Sequence, residues 1–307
     1  MGFHGSAAIV ATVIASRALS PRQALALTAL AAFGGPLFLG AAVAHTIGQG
    51  LVAPSAWSSV ALACGLLAAS GWTLLTWWVG LPCSASQALI GGLLGAVTIA
   101  AGPGAVQSEG VLKTLIGLFV SPPVGLLAGV LLMRLTLWLA QSATPRANNL
   151  FKRMQVLTSL SLAMVVSAND TQKVMGVMTL MLMLTGSLST FAVPLWIKLL
   201  AAGAFALGIL SGGYRLIRTL GGRLLRVRPI HGFVAQLATT GVILLASQTG
   251  LPVSSTQVIG MAIVGVGSAE RLSKVRWQVA GTLMAAWFLT IPVTAVLAGL
   301  GVWLWKG

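Results

Sequence analysis

The sequence is poor in charged residues, and above all in acidic ones. Only 7% of its 307 residues are charged, and Asp and Glu together number 3 against 18 Lys and Arg. A soluble domain is normally about 25% charged, so this chain cannot cover a water-facing surface. It has no Cys/His cluster and no catalytic acid–base pair. These absences argue against a soluble protein and against an enzyme, and neither catalytic residues nor an organic cofactor are expected.

Hydrophobic residues take the place of the missing charges and make up 57% of the chain. The apolar runs are continuous, rich in Leu, Ala and Gly, and long enough to cross a bilayer as helices. They predict an all-α polytopic protein of the cell membrane, with the lipid bilayer as its surroundings. The predicted crossings cover residues 1–16, 24–44, 57–79, 82–101, 113–140, 154–185, 192–213, 231–249, 252–268 and 277–304.

The formal net charge of +15 comes from basic residues in the short loops between these runs. This distribution follows the positive-inside rule, so nucleic acid is not an expected partner. In the first half the first loop is basic, with Arg17 and Arg22, whereas in the second half it is the second loop, over 215–228. Placing every basic loop in the cytoplasm requires two inverted-topology repeats of about five spans each, over 1–145 and 146–307.

A 16-residue phrase occurs twice in the chain. GLPCSASQALIGGLLG runs from Gly80 to Gly95 and GLPVSSTQVIGMAIVG from Gly250 to Gly265, with 6 identical positions. Inverted repeats are an architecture of secondary transporters, whose substrate lies near the midplane between broken or re-entrant helices. One copy of the phrase from each half therefore marks the candidate substrate site.

Each copy places a proline and several hydroxyls at the predicted start of a helix. Pro is favoured in a first helical turn, so Pro82 and Pro252 are expected to begin helices whose free N–H groups attract an anion. The hydroxyls that add donors there are Ser84, Ser86, Ser254, Ser255 and Thr256. The glycines that allow close helix packing are Gly91, Gly92 and Gly95. The alternative is that the hydroxyls only bond back to their own helices; the duplication favours an anion site.

A second polar cluster lies at Asn169, Asp170, Gln172 and Lys173. Asp170 is the one acid inside a predicted span, and an ionisable residue there is a functional hypothesis by default. The apolar stretch over 154–185 is too long for one straight crossing. A broken helix at Asp170 is therefore expected, with free carbonyls beside the carboxylate that would suit a hard cation. The alternative is a structural pair between Asp170 and Lys173, three residues apart on one helix face.

The sequence resembles the inorganic phosphate transporter (PiT) family of secondary transporters over essentially its whole length. The similarity is carried by GFHGSAAIVATVIASRALSPRQA, TLLTWWVGLPCSASQALIGGLLGA, ANDTQKVMGVMTL and ILLASQTGLPVSSTQVIGMAIVGVG. Members move phosphate with sodium or protons, and a few relatives move sulfate. The resemblance implies that the hydroxyls after Pro82 and Pro252 help bind the anion, and that Asn169 and Asp170 help bind the anion and the coupling cation.

The chain departs from the family pattern in its first repeat. The family usually has Asp where this chain has Gly5, and Asn where it has Ala8. One cation site, at Asp170, is therefore expected in place of two, with Ser6 and Thr12 as neutral substitutes. No metal is expected beyond a sodium ion at Asp170.

Two further departures concern the phrases and the first span. The family's usual His after each hydroxyl cluster is Gln87 in the first copy and Gln257 in the second. Residues 1–16 would cover about 24 Å of a core of roughly 30 Å. The first repeat is therefore expected to lack its N-terminal half-helix in this sequence.

The function expected from these features is ion-coupled secondary transport of inorganic phosphate, as symport with sodium or protons. One alternative is a permease of the same fold for sulfate or another oxyanion. Another is a non-transporting relative that acts as a membrane partner or sensor. A homodimer is left open as the oligomeric state.

Overall fold

A computed structural model gives the fold and describes residues 1–142, 144 and 147–306. These residues form α1 Gly2–Ala15, α2 Pro21–Phe38, α3 Ala42–Gln49, α4 Ser59–Val79, α5 Ala85–Ala101, α6 Ser108–Leu139, α7 Ala147–Leu184, α8 Leu195–Leu210, α9 Tyr214–Arg218, α10 Pro229–Gln248, α11 Ser255–Glu270 and α12 Trp277–Lys306. Short helical turns cover Pro54–Ala56, Pro103–Ala105, Thr219–Arg223 and Leu272–Lys274. Within the described residues the β structure is limited to one isolated bridge between Val52 and Val106. The all-α prediction is confirmed.

Four of the described helices are each long and apolar enough to cross a bilayer, namely α4, α6, α10 and α12. Two bent pairs pass the same test, α2 with α3 at 72° and α8 with the segment from Tyr214 to Arg223 at 66°. The straight crossings predicted over 24–44 and 192–213 are therefore wrong, because each one breaks. Gly40 and Gly212 lie at the breaks with φ of 78° and 62°, a left-handed conformation that glycine adopts without a Cβ clash. The chain is a multi-pass membrane protein with broken helices.

The long helix α7 does not break. It continues for 38 residues through Asp170, so the predicted break there is wrong. At 1.5 Å per residue it is about 57 Å long, which exceeds a hydrocarbon core of about 30 Å. Its first turns carry Lys152 and Arg153 and fit outside the apolar layer. The helix continues because no Gly or Pro occurs between 147 and 175.

The second half of the chain repeats the element order of the first. The helices α4, α5 and α6 correspond to α10, α11 and α12, and the bent pair α2–α3 corresponds to α8–α9. The two repeats expected from the sequence are thus confirmed in their order of elements. The boundary expected between residues 145 and 146 lies outside the described residues and stays a prediction.

The two halves are interlocked through the helices that carry the phrases. α5 packs on α12 of the second half, and α11 packs on α6 of the first. A Cβ added at Gly95 would collide with the backbone of α12, and one added at Gly265 would collide with that of α6. Gly91 likewise faces α12, and Gly92 faces α4. The close packing predicted at Gly91, Gly92 and Gly95 is confirmed.

Candidate anion-binding site

Both phrases enter their helices along the same backbone path. Gly80 and Gly250 follow α4 and α10 with φ of 82° and 70°, the left-handed conformation that commonly ends a helix. A short extended segment follows each glycine and ends at Ser84 in the first copy and at Ser254 in the second. The duplication in sequence is therefore a duplication in backbone shape.

The prolines of the phrases lie outside the helices. α5 begins at Ala85 and α11 at Ser255, so the prediction that Pro82 and Pro252 occupy the first helical turn is wrong. Each proline lies instead in the extended segment, where its missing N–H and fixed φ cause no loss. The Pro82 carbonyl accepts a hydrogen bond from the Trp287 indole N–H at 3.1 Å, which fixes this segment against α12.

The polar segment of α7 meets both phrases at an ion pair. Lys173 Nζ lies 2.7 Å from Asp170 Oδ1. The same ammonium group donates to Ser86 Oγ at 2.7 Å and to the Val253 carbonyl at 2.7 Å. The second carboxylate oxygen, Asp170 Oδ2, accepts from Ser255 Oγ at 2.8 Å. One carboxylate and one ammonium group thus connect α7 to the first and the second phrase.

The ion pair is withdrawn from solvent. The side chain of Lys173 is 0% exposed and that of Asp170 is 7% exposed. A buried charge without a partner is strongly disfavoured, so each group must keep the other or exchange it for a charged ligand. Asp170 also lines a cavity of about 140 Å³ between α7 and α8. The carboxylate is therefore the side of the pair that a small ion can reach.

Asn169 lies beside the ion pair with one amide atom unused. Its Nδ2 donates to Ser247 Oγ on α10 at 2.8 Å. Its Oδ1 is buried and has no hydrogen-bond partner among the described residues. An amide oxygen is an acceptor, so it suits a cation or the O–H group of a protonated oxyanion.

Buried amides without partners occur in both phrases. Gln87 lies in the first turn of α5, and Gln257 lies at the corresponding position of α11. In the described part of the chain neither polar atom of the Gln87 side chain has a partner, and the Gln257 oxygen has none either. An unsatisfied buried polar atom costs about 1–3 kcal/mol. These amides are therefore available to a polar ligand, and the Gln87 Nε2 is a donor of the kind an oxyanion needs.

The hydroxyls predicted to bind an anion have different roles in the structure. Ser84 caps α5, because its Oγ accepts a main-chain N–H of the first turn at 3.1 Å. Ser86 and Ser255 contact the ion pair. Ser254 and Thr256 are buried, and Ser254 makes no capping hydrogen bond. One hydroxyl from each phrase thus contacts the ion pair on α7, whereas the other hydroxyls of the phrases make no hydrogen bond to it.

Ser6 makes its hydrogen bonds outside this cluster. Its Oγ accepts the Gly213 N–H at 3.2 Å, at the break between α8 and α9. The neighbouring Gly5 faces an aromatic ring, since a Cβ there would lie 2.7 Å from Phe205 Cζ. The structure therefore shows no hydrogen bond between Ser6 and Asp170, although both were predicted to serve the cation.

Gln172 holds the other break, which sequence reasoning missed. Its Oε1 accepts the Val43 N–H at 2.9 Å, and its Nε2 donates to the Leu39 carbonyl at 3.3 Å. Both partners flank the bend between α2 and α3. Ser6 and Gln172 therefore tie the two breaks to α1 and α7.

Lys173 was missed as a site residue. The spacing of three residues from Asp170 pointed to a pair, and the structure shows that pair. The spacing gave no sign of the two further groups that accept hydrogen bonds from the Lys173 ammonium, Ser86 and the Val253 carbonyl. A main-chain carbonyl has no side-chain signature, so a sequence pattern cannot reveal it.

Comparison with known proteins gives consistent matches. Residues 1–298 match the phosphate transporter family. A protein of Rhizobium meliloti (strain 1021), described as a probable low-affinity inorganic phosphate transporter, is 36% identical over 301 residues, which are 97% of this chain and 90% of that protein. A Bacillus subtilis (strain 168) protein of the same description is 36% identical over 305 residues, 97% of this chain and 91% of its own. A third protein of this description, from Mycobacterium bovis, is 39% identical over 303 residues, which are 96% of this chain and 72% of that protein.

A solved structure has the same fold. It is described as the sodium-dependent phosphate transporter, and it superposes with a TM-score of 0.86 at 24% identity, covering 99% of this chain and 97% of that chain. The family match extends over nearly the whole chain, and two of the relatives are 36% identical to it over the aligned residues. The chain belongs to the phosphate transporter family.

Proposed function

We propose that the protein carries inorganic phosphate across the cell membrane by secondary transport coupled to an ion gradient. The relatives in three bacteria are described as probable low-affinity inorganic phosphate transporters. The observation that carries the proposal is the meeting of both phrases with the Asp170–Lys173 pair. In this proposal the protein makes and breaks no covalent bond of its substrate. The site has only to bind phosphate, release it and exclude other solutes.

Phosphate fits the groups that meet there. The donors at the pair are the ammonium of Lys173 and the hydroxyls of Ser86 and Ser255, and the unpaired amide of Gln87 follows Ser86 in the chain. Near neutral pH phosphate also carries an O–H group, from which Asp170 or the free Asn169 oxygen can accept a hydrogen bond. Sulfate has no such proton, so an acceptor near the anion favours phosphate. Preference for phosphate over sulfate is therefore part of the proposal.

Coupling requires a cation that stabilises the loaded site. Asp170 contacts Ser255 of the second phrase directly and the first phrase through Lys173, and it borders the cavity beside α8. A proton arriving there would neutralise the carboxylate and release Lys173 to the anion. The two halves would then move around this site so that it opens to one side of the membrane at a time.

The test is uptake of labelled phosphate into vesicles containing the purified protein, with empty vesicles as the control. Sodium and pH gradients are imposed separately, and unlabelled sulfate is added as competitor. We expect uptake that an inward ion gradient accelerates and that sulfate inhibits much less than phosphate does. Equal inhibition by the two anions would contradict the preference.

A non-transporting role has one observation in its favour. The ring of Phe205 fills the space beside Gly5 where the family usually has its first Asp, so half of the paired site is closed. A correctly inserted protein that binds phosphate but transports neither phosphate nor sulfate would support a sensor and refute transport.

A further inference from the structure

The Lys173 ammonium is surrounded by oxygen atoms of the kinds that also bind metal cations. Its three hydrogen-bond acceptors are a carboxylate, a hydroxyl and a main-chain carbonyl, each at 2.7 Å. Hard cations select this kind of oxygen donor in proteins. An ammonium group has three N–H donors, and here every one of them has an acceptor. The side chain therefore fits the position as an ion would.

The position itself lies between the two repeats. The acceptors come from Asp170 on α7, from Ser86 on α5 and from Val253 in the segment before α11. The first and second halves of the chain thus both contribute an oxygen atom. This is where a transporter built from inverted repeats places its substrate and its coupling ion.

A second cation at Asp170 would conflict with this arrangement. Oδ1 already faces the ammonium at 2.7 Å, and Oδ2 accepts from Ser255 at 2.8 Å. A sodium ion bound to the same carboxylate would lie within a few ångströms of the Lys173 charge, in surroundings of low dielectric constant where like charges repel strongly. Protonated Lys173 and sodium at Asp170 are therefore mutually exclusive.

We propose that Lys173 is a tethered cation that takes the position of a coupling sodium ion beside Asp170 and supplies the positive charge that faces the transported anion. Phosphate binding then requires no sodium. The inference rests on the proposed function for the identity of the anion, but the exclusion of sodium by Lys173 does not depend on it.

The experiment compares the parent protein with Lys173→Ala, which removes the ammonium and leaves the oxygen donors in place. Lys198→Ala on α8 is the control, because that lysine is half-buried and lies outside the site. Thermal unfolding of the purified proteins is followed in sodium chloride and in choline chloride at equal ionic strength. Phosphate affinity is measured in both salts.

Sodium is expected to leave the melting temperature of the parent and of Lys198→Ala unchanged relative to choline, and to raise that of Lys173→Ala, because a ligand that binds the folded state stabilises it. Phosphate affinity should be independent of sodium in the parent. In Lys173→Ala it should fall about tenfold in choline, or about 1.4 kcal/mol, and recover in sodium.

Saturable stabilisation of the parent by sodium would overturn the proposal, and so would a Lys173→Ala protein that sodium leaves unchanged. The melting curves need no phosphate, so a parent that excludes sodium as proposed but never binds phosphate would refute the proposed function alone. If Lys173→Ala does not fold, Lys173→Met is measured in its place, because methionine fills part of the space of the lysine side chain and carries no charge. The sodium response of the parent then still decides the matter.

Discussion

Ser84 and Ser254 have the same backbone conformation, with φ −97° and ψ 106° in the first and φ −98° and ψ 105° in the second, yet only Ser84 caps its helix. The two copies of the phrase thus have the same backbone conformation at this serine, but the two serine side chains have different roles. The Ser84 hydroxyl is engaged by its own helix, whereas that of Ser254 is not. The pair therefore separates a structural hydroxyl from one that is available to a ligand.

Replacing these two serines by alanine should have different consequences. Ser84→Ala removes a cap, which costs about 0.5–2 kcal/mol of stability, and should lower the melting temperature. Ser254→Ala should leave the melting temperature nearly unchanged and weaken phosphate binding, since a donor to a charged partner contributes about 1.5–3 kcal/mol. Thermal unfolding and phosphate titration of both variants provide the measurement, and each variant serves as the other's control. The same loss of stability in both variants would contradict this division.

Replacing the buried amide of Gln87 should not lower the stability of the protein, whereas replacing an ordinary core residue does. Gln87→Met removes two unsatisfied polar atoms and keeps the volume, so the substrate-free protein should be at least as stable as the parent. Phosphate affinity should fall, because Nε2 is lost as a donor. Gln141→Met, at an exposed position, should change neither quantity. A destabilised Gln87→Met protein with normal phosphate affinity would show that the amide has a structural partner.

Restoring the acid at Gly5 should be limited by Phe205. A Cβ at Gly5 would lie 2.7 Å from the ring, and overpacking of this kind costs about 1–3 kcal/mol. Gly5→Asp should therefore destabilise the parent clearly, and destabilise the Phe205→Ala background less by about 1 kcal/mol. A double-mutant cycle of melting curves measures the difference. Additive effects would mean that the ring does not occupy this space.

Glu270 should contribute more to stability than the exposed Glu109. It contacts Arg228 and Lys274, and its Oε1 lies 3.2 Å from His231 Nε2. Glu270→Gln should lower stability by about 1 kcal/mol, a value at the upper end for surface ion pairs. Glu109→Gln should have no measurable effect. The difference should shrink at high salt, where surface charges are screened; a difference that salt does not alter would argue against an electrostatic origin.

Several features of the fold could be predicted because they are written in residue types and spacing. The repeated phrase predicted two equivalent helix starts, and loop charges predicted two repeats. The helix starts were misplaced because Pro82 is equally suited to an extended segment. Ser84 was the better signal, since serine is a preferred N-cap residue.

Other features could not be predicted, because they depend on a single residue within a span or on a main-chain atom. Hydropathy averages over a span, so the single residues that break it, Gly40 and Gly212, leave no trace in such an average. The continuity of α7 through Asp170 was predictable in principle, because that segment has no helix-breaking residue. The Val253 carbonyl was not, because its position depends on how the two halves meet.

The interlocking of the halves also governs the order in which the protein can be assembled. α5 ends at Ala101, but α12, on which it packs, begins at Trp277. At a synthesis rate of about 5–20 residues per second, α5 waits on the order of 10 s for its partner. During that time the face of α5 around Gly95 lacks the helix that covers it in the finished protein. Nascent chains that stall before Trp277 should therefore be degraded, and expression of the first half alone should yield no stable product.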